Sequence, residues 1–169
     1  MAERPKSTGL RGQSAGSTEI CTVGKSGSGL TYRGYDIQAL AENARFEEVA
    51  YLLLKGELPN QRQLDDYVAL LQRSRSLPEA LKKVLEQVPS DAHPMDVLRT
   101  GTSMLGNLET EQRMEDQQRH ADRLLAVMPS ILNYWYRYSH YGERIETETD
   151  DDSVGGHFLH LLHGKPASE

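Results

Sequence analysis

Three histidines late in the chain, His157, His160 and His163, come nearest in type and spacing to metal chemistry. They fall at i, i+3 and i+6 of one helical pattern. Imidazoles at i and i+3 or i+4 can share an ion, but the third ring has rotated well off the first. No cysteine lies near them, so half-exposed or interhelical histidines are the better reading. Just before them Glu143, Glu146, Glu148, Asp150, Asp151 and Asp152 form an acidic run. It lacks the mid-loop glycine and terminal glutamate of a calcium-binding loop at the required offsets. A solvated acidic loop feeding negative charge into a helix start fits better. Near the other end, Gly24-Lys25-Ser26-Gly27-Ser28-Gly29 resembles a phosphate-binding loop superficially. That pattern needs glycine five positions before the Gly-Lys-Ser, where Glu19 stands, and the remaining glycines follow the lysine instead of preceding it. The run Tyr134-Trp135-Tyr136-Arg137-Tyr138, with Tyr141 beyond, could stack on bases. Its helical spacing and the acidic balance of the chain favour packing instead.

The elements that would position these residues follow from periodicity. Ile20 with Thr22 and Leu30 with Tyr32 are strand formers either side of the glycine-serine cluster, predicting a short β-hairpin. Asp36 caps a helix over 37–43. A second over 46–55 carries Phe46, Val49, Ala50, Leu53 and Leu54 on one face, with Glu47 and Glu48 at its dipole-favoured start and Gly56 as its stop. Asn60 and Gln63 have capping-box spacing for a helix over 61–73, with Leu64, Tyr67, Val68 and Leu71 inward. Pro78 opens another, with Leu81, Val84, Leu85 and Val88 inward and Pro89 closing it.

Pro94 opens the helix of the stretch His93–Gly106, where its missing N–H costs nothing. Met95, Leu98, Thr102 and Leu105 make one stripe; Val97, Gly101, Met104 and Leu108 make a second. Two stripes predict a central helix packed on most sides, with Gly101 at a close approach of a neighbouring helix. The window 109–118 is a connection or a frayed helix start. The span 121–138 is a long helix that Pro129 should kink or split. Ser153 caps a last helix with Val154, Phe158, Leu161 and Leu162 buried, stopped by Gly164 and Pro166. The fold class is all-α, some seven helices with a small N-terminal hairpin.

Composition narrows the partners. The 169 residues carry 19 Lys and Arg against 25 Asp and Glu, a net charge of −6 that argues against a nucleic-acid or anionic-membrane surface. Mean hydropathy is −0.62, on the polar side for a globular chain. The lone Cys21 excludes an internal disulfide and suits a reducing compartment. No apolar run approaches a membrane span, and the polar start holds no apolar signal core, so cytoplasm is the default. Periodicity and spacing alone give no paired acid and base, no nucleophile with an orienting base and no strong metal motif.

Several ordered motifs carry more. Ala15-Gly16-Ser17-Thr18, Ile20 through Gly27, Leu30-Thr31-Tyr32-Arg33-Gly34-Tyr35-Asp36-Ile37, Phe46-Glu47-Glu48-Val49 and His93-Pro94-Met95-Asp96-Val97-Leu98-Arg99-Thr100 together resemble the opening of the citrate synthase family. Cys21–Gly27, Tyr134–His140 and Glu148–Gly164 resemble the branch of that family that takes propionyl-CoA. The resemblance runs from about Leu10 to Pro166.

It implies a mostly helical enzyme with a large and a small domain, working as a homodimer. Residues 1–9 would be a loose tail, and 10–169 the N-terminal part of the large domain, ending before the small one. It implies an acyltransferase condensing propionyl-CoA with oxaloacetate, giving 2-methylcitrate and free CoA in propionate catabolism, with no cofactor and no metal. An aspartate takes the proton alpha to the thioester, one histidine supports the enolate and a second polarises the oxaloacetate carbonyl. Those residues and the carboxylate-binding arginines lie in family motifs beyond Glu169. No residue of this chain is therefore assigned as catalytic, and the chain by itself is expected to be inactive. The alternatives are the same fold preferring acetyl-CoA, a stand-alone helical interaction module, and a metal-binding module built on the three histidines.

Overall fold

The computed structural model describes residues 16–24 and 29–166. The expected loose tail at 1–9 and the turn of the hairpin at 25–28 lie outside the described residues.

Three two-residue strands, β1 (Cys21–Thr22), β2 (Thr31–Tyr32) and β3 (Tyr35–Asp36), form one antiparallel sheet in the order β1-β2-β3. The pairing of Cys21 with Tyr32 and Thr22 with Thr31 is the predicted hairpin. The third strand goes beyond that prediction. Arg33 and Gly34 stand at φ +49° and +88°, the two left-handed residues of a type I′ turn, which folds β3 back on β2.

Seven α-helices follow among the described residues: α1 (Ile37–Asn43), α2 (Phe46–Lys55), α3 (Gln61–Arg73), α4 (Glu79–Leu85), α5 (Pro94–Leu108), α6 (Gln117–Tyr141) and α7 (Val154–His163). The predicted caps are in place. Asp36 accepts from Gln38 and Ala39, and Ser153 accepts from Gly156. Asn60 and Gln63 satisfy each other's backbone N–H groups.

The central element is α6, not α5. Its 25 residues pack against α3, α4, α5 and α7. The helix runs through Pro129 without splitting, and it begins earlier and ends later than its apolar pattern suggested. The polar window before it resolves into a loop, a single 3-10 turn over Met114–Asp116 and the first turn of α6. Tertiary packing on four neighbours outweighs one lost backbone hydrogen bond.

Helix α5, by contrast, is one-sided. Val97, Gly101 and Leu105 are buried against α4 and α6, while Met95 is 63% and Leu108 42% exposed. The two expected stripes therefore merge into one buried face, with Val97 and Gly101 from one and Leu105 from the other, while Met95 at the start and Leu108 at the end stay exposed. The main core lies between α4, α5 and α6, where Leu77, Leu81, Leu85, Val97 and Leu105 meet Val127, Ile131, Tyr134 and Trp135. The aromatic run is thus mostly packing: Tyr134 donates to Glu86 at 2.8 Å and Trp135 to the Val88 carbonyl at 3.3 Å. A smaller cluster of Tyr67, Leu71 and Ala126 joins α3 to α6.

Two helix faces are turned from expectation. On α2, Leu52 and Glu47 are the buried residues while Phe46 is exposed; on α7, His157 joins Leu161 inside and Phe158 is half-buried. Both differences have one cause, a polar cluster placed inside the fold.

Candidate functional site

The most elaborate polar arrangement among the described residues is a buried cluster where α2, α6, α7 and the 147–153 segment meet. Its anchor is Arg75, just past the end of α3 and 1% exposed. One guanidinium nitrogen donates to the carbonyls of Thr149 and Asp151, at 2.9 and 2.7 Å, and the other to the Ser153 carbonyl at 3.1 Å. Gln72, one turn earlier, donates to the carbonyls of Asp150 and Asp151. The acidic run is therefore not a free solvated loop. Its backbone is clamped, while Glu146, Glu148 and Asp150 are exposed and the exposed Glu143 and Asp152 pair with Arg137 and Arg45.

The clamp leads into α7. Glu47 on α2 is 2% exposed, and its carboxylate accepts from the first N–H of α7, at Val154, over 2.8 Å. It stabilises a helix start, as its charge suggested, but the start of α7 in place of its own. Three residues on, the His157 ring sits between two hydroxyls. Nε2 is 3.0 Å from Ser130 Oγ on α6 and Nδ1 is 2.9 Å from Thr149 Oγ1. Burial, then the Arg75 cation, pushes His157 down to about 4. The second histidine, His160, pairs with Asp151 at 2.8 Å, and His163 is exposed. Burial opposes ionisation of Asp151, yet the Thr149 hydroxyl and the His160 ring hold its carboxyl below the usual carboxylate range.

A serine hydroxyl on an imidazole invites comparison with a nucleophile and its base, but this one cannot act so. Ser130 and His157 are both 0% exposed, leaving no room for a substrate atom beside the hydroxyl. The group on the far ring nitrogen is the Thr149 hydroxyl, where a carboxylate would be needed to stabilise an imidazolium. The adjacent charge, Arg75, is of the wrong sign. The cluster positions α7; it performs no chemistry.

Elsewhere the surface offers little to a substrate. A cleft of about 640 Å³ lies between the end of α3 and the start of α6, lined by Arg73, Arg119, Arg123, Glu109, Glu115 and Asp122 among others. Its charges balance, and Arg123 is spent on a bidentate pair with Glu109 and on the carbonyls of Ser74 and Ser76. Asp122 is likewise engaged, by Lys55 at 2.7 Å and Tyr67 at 3.1 Å. Among the described residues no three His, Cys, Asp or Glu are grouped to hold a metal ion. Nor is any described helix long and apolar enough to cross a membrane.

The family model described as citrate synthase, C-terminal domain, matches residues 9–169, almost the whole chain. The chain belongs to the citrate synthase family. Within that family it is 65% identical over 167 residues to 2-methylcitrate synthase of Shewanella oneidensis, an alignment covering 99% of this chain and 44% of that protein. It is 31% identical over 164 residues to citrate synthase of Heyndrickxia coagulans, covering 95% of this chain and 44% of that protein. The crystal structure of citrate synthase from Thermotoga maritima superposes with a TM-score of 0.80 at 30% identity, over 94% of this chain and 42% of that one. The helices of this chain thus form the citrate synthase fold, and the chain spans less than half the length of the relatives it matches.

Arg75, Glu47, Ser130 and Thr149 escaped the reading by motif, although part of the signal was present. His157 lies three residues after Val154 and four before Leu161, on the apolar face of α7. Arg75 follows Leu64, Tyr67 and Leu71 at helical spacing. A polar residue in phase with a buried stripe marks an interior polar group.

Proposed function

We propose that this chain is the leading half of a 2-methylcitrate synthase, an enzyme that condenses propionyl-CoA with oxaloacetate to 2-methylcitrate and CoA. The observation that carries this reading is the 65% identity across 99% of the chain to the Shewanella oneidensis enzyme. The placement within the fold rests on the order of the motifs at Tyr32–Ile37, Phe46–Val49 and His93–Thr100, and not on the family model, whose description names a C-terminal domain.

In this reading the 169 residues supply framework. The two histidines, the aspartate and the carboxylate-binding arginines of the family belong to the portion of the relatives' length that this chain does not span. The sealed Ser130–His157 pair supports that division, because it offers no accessible acid or base, and the open cleft at Arg73 and Arg119 balances its charges without pairing an acid with a base. The homodimer of this reading gives the outer face of α5, which carries the exposed Met95, a partner to cover it. Gly101 is not part of that face, since it is buried against α6 inside the chain.

Preference for acetyl-CoA is the second reading, favoured only by the weaker likeness to citrate synthases, 31% for the Heyndrickxia coagulans protein. Steady-state kinetics of the full-length protein decide between them. A higher kcat/KM for propionyl-CoA than for acetyl-CoA supports the proposal, and the reverse order contradicts it.

A further inference from the structure

Among the contacts that seat α7 is one buried ring that has no charged partner suited to its protonated form. We propose that His157 is an acid-sensitive latch, holding α7 and the 147–153 segment on α6 while neutral and releasing them when it takes up a proton.

The geometry is that of a neutral imidazole. The ring is 0% exposed and its two nitrogens meet only hydroxyls, Ser130 Oγ at 3.0 Å and Thr149 Oγ1 at 2.9 Å. A neutral ring donates through one nitrogen and accepts through the other, which suits two hydroxyls that can each do either. An imidazolium donates through both, so both hydroxyls must accept. Whichever hydroxyl donates to the neutral ring must then turn its hydrogen away, while Thr149 Oγ1 also accepts from Arg75 at 3.3 Å. The new charge would also be buried without a carboxylate against it.

The charged neighbours come from every element around the ring. Past α3 stands the Arg75 cation, which opposes a second positive charge. From α2 comes Glu47, committed to the Val154 N–H. From the 147–153 segment comes Asp151, the nearest compensating anion, but its carboxylate is held by His160 of α7 itself. Asp150 and Asp152 flank it on the solvent side, and α6 contributes only the uncharged Ser130. The repulsion from Arg75 and the loss of water outweigh the attraction of Asp151.

The consequence follows by linkage. When α7 is released, His157 returns toward its ordinary value of 6.5, whereas in place it is held near 4. A group depressed on docking favours the docked form fully above 6.5, and that preference is lost as the pH falls toward 4. Those two values give an opening equilibrium about 20-fold larger at pH 5 than at pH 7. Release should be local, since α7 makes its main contact with α6 alone.

Hydrogen–deuterium exchange on the full-length protein tests this directly. After correction for intrinsic exchange rates, amides of 154–163 should lose about 20-fold protection between pH 7 and pH 5 while those of α3 stay constant. Exchange of the ring C2 hydrogen, followed over the same range, should show His157 uncharged in the folded protein. A His157 titration midpoint near 6.5, unchanged α7 protection, or an equal loss across α3 and α7 would each overturn the latch. His157→Gln removes the titrating group while keeping a polar side chain. It should abolish the pH dependence of α7 protection, and a variant that retains the 20-fold change contradicts the proposal. If that variant does not fold, the native ring titration decides alone.

Discussion

Gly101 on α5 and Ile131 on α6 stand so close that a Cβ built on the glycine would lie 2.5 Å from the isoleucine Cγ2. The helix core between α4, α5 and α6 closes at this point. Replacing Gly101 by alanine raises intrinsic helix propensity by roughly 1 kcal/mol, but forcing a methyl into a packed contact costs about 1–3 kcal/mol. Gly101→Ala should therefore be neutral to destabilising, and Gly101→Leu strongly destabilising, read as lost exchange protection in α5 and α6. Full protection in the leucine variant would show that the two helices do not meet as described.

Arg75 holds together three carbonyls that no other side chain reaches in the same way. Arg75→Met keeps much of the volume but leaves the Thr149 carbonyl without a donor and removes the fork that ties it to the carbonyls of Asp151 and Ser153, which keep only Gln72 and the His157 N–H. An unsatisfied buried acceptor costs about 1–3 kcal/mol and the cross-link is lost with it, so the 147–153 segment should become protease-sensitive while the α4–α6 core is retained. Arg75→Lys should recover part of the loss, because an ammonium can reach one or two of the carbonyls but cannot fork across them. Limited proteolysis with mapping of the cut sites reads both variants.

Glu86 ties α4 to α6 and to the segment that follows it, accepting from Tyr134 at 2.8 Å and from Arg144 at 2.8 and 2.9 Å. The Arg144 guanidinium, helped by the Tyr134 hydroxyl, holds its carboxyl down to about 2. A depressed carboxylate stabilises the fold above its unfolded value of 4.5 and loses that contribution as the pH falls toward 2. Glu86→Ala should lower the urea midpoint at pH 7. The difference from the native protein should shrink between pH 4.5 and pH 2. A difference that is the same at both ends of that range would mean that the charge contributes nothing.

Much of the fold was legible because its helices announce their ends. Asp36, Asn60, Pro94, Ser153 and the glycines after α2 and α7 each act within a few residues, through caps that the local sequence specifies. The long-range features were less legible. The extent of α6 through Pro129 is set by four neighbouring helices, and the one-sidedness of α5 by which neighbours this chain contains. The Arg75–His157 cluster joins residues more than seventy positions apart in sequence, which no single-helix pattern can reveal. The family itself was legible from ordered motifs, whereas no catalytic arrangement emerged from the spacing of the residues.

Under the proposed function, these 169 residues build the framework of a propionyl-CoA-condensing enzyme whose chemistry lies outside them. Release of CoA from propionyl-CoA in the presence of oxaloacetate, measured side by side for the purified 169-residue chain and the full-length protein, tests it most directly. The account predicts turnover by the full-length protein and none above background by the chain. Oxaloacetate-dependent release that scales with the concentration of the purified chain would contradict it.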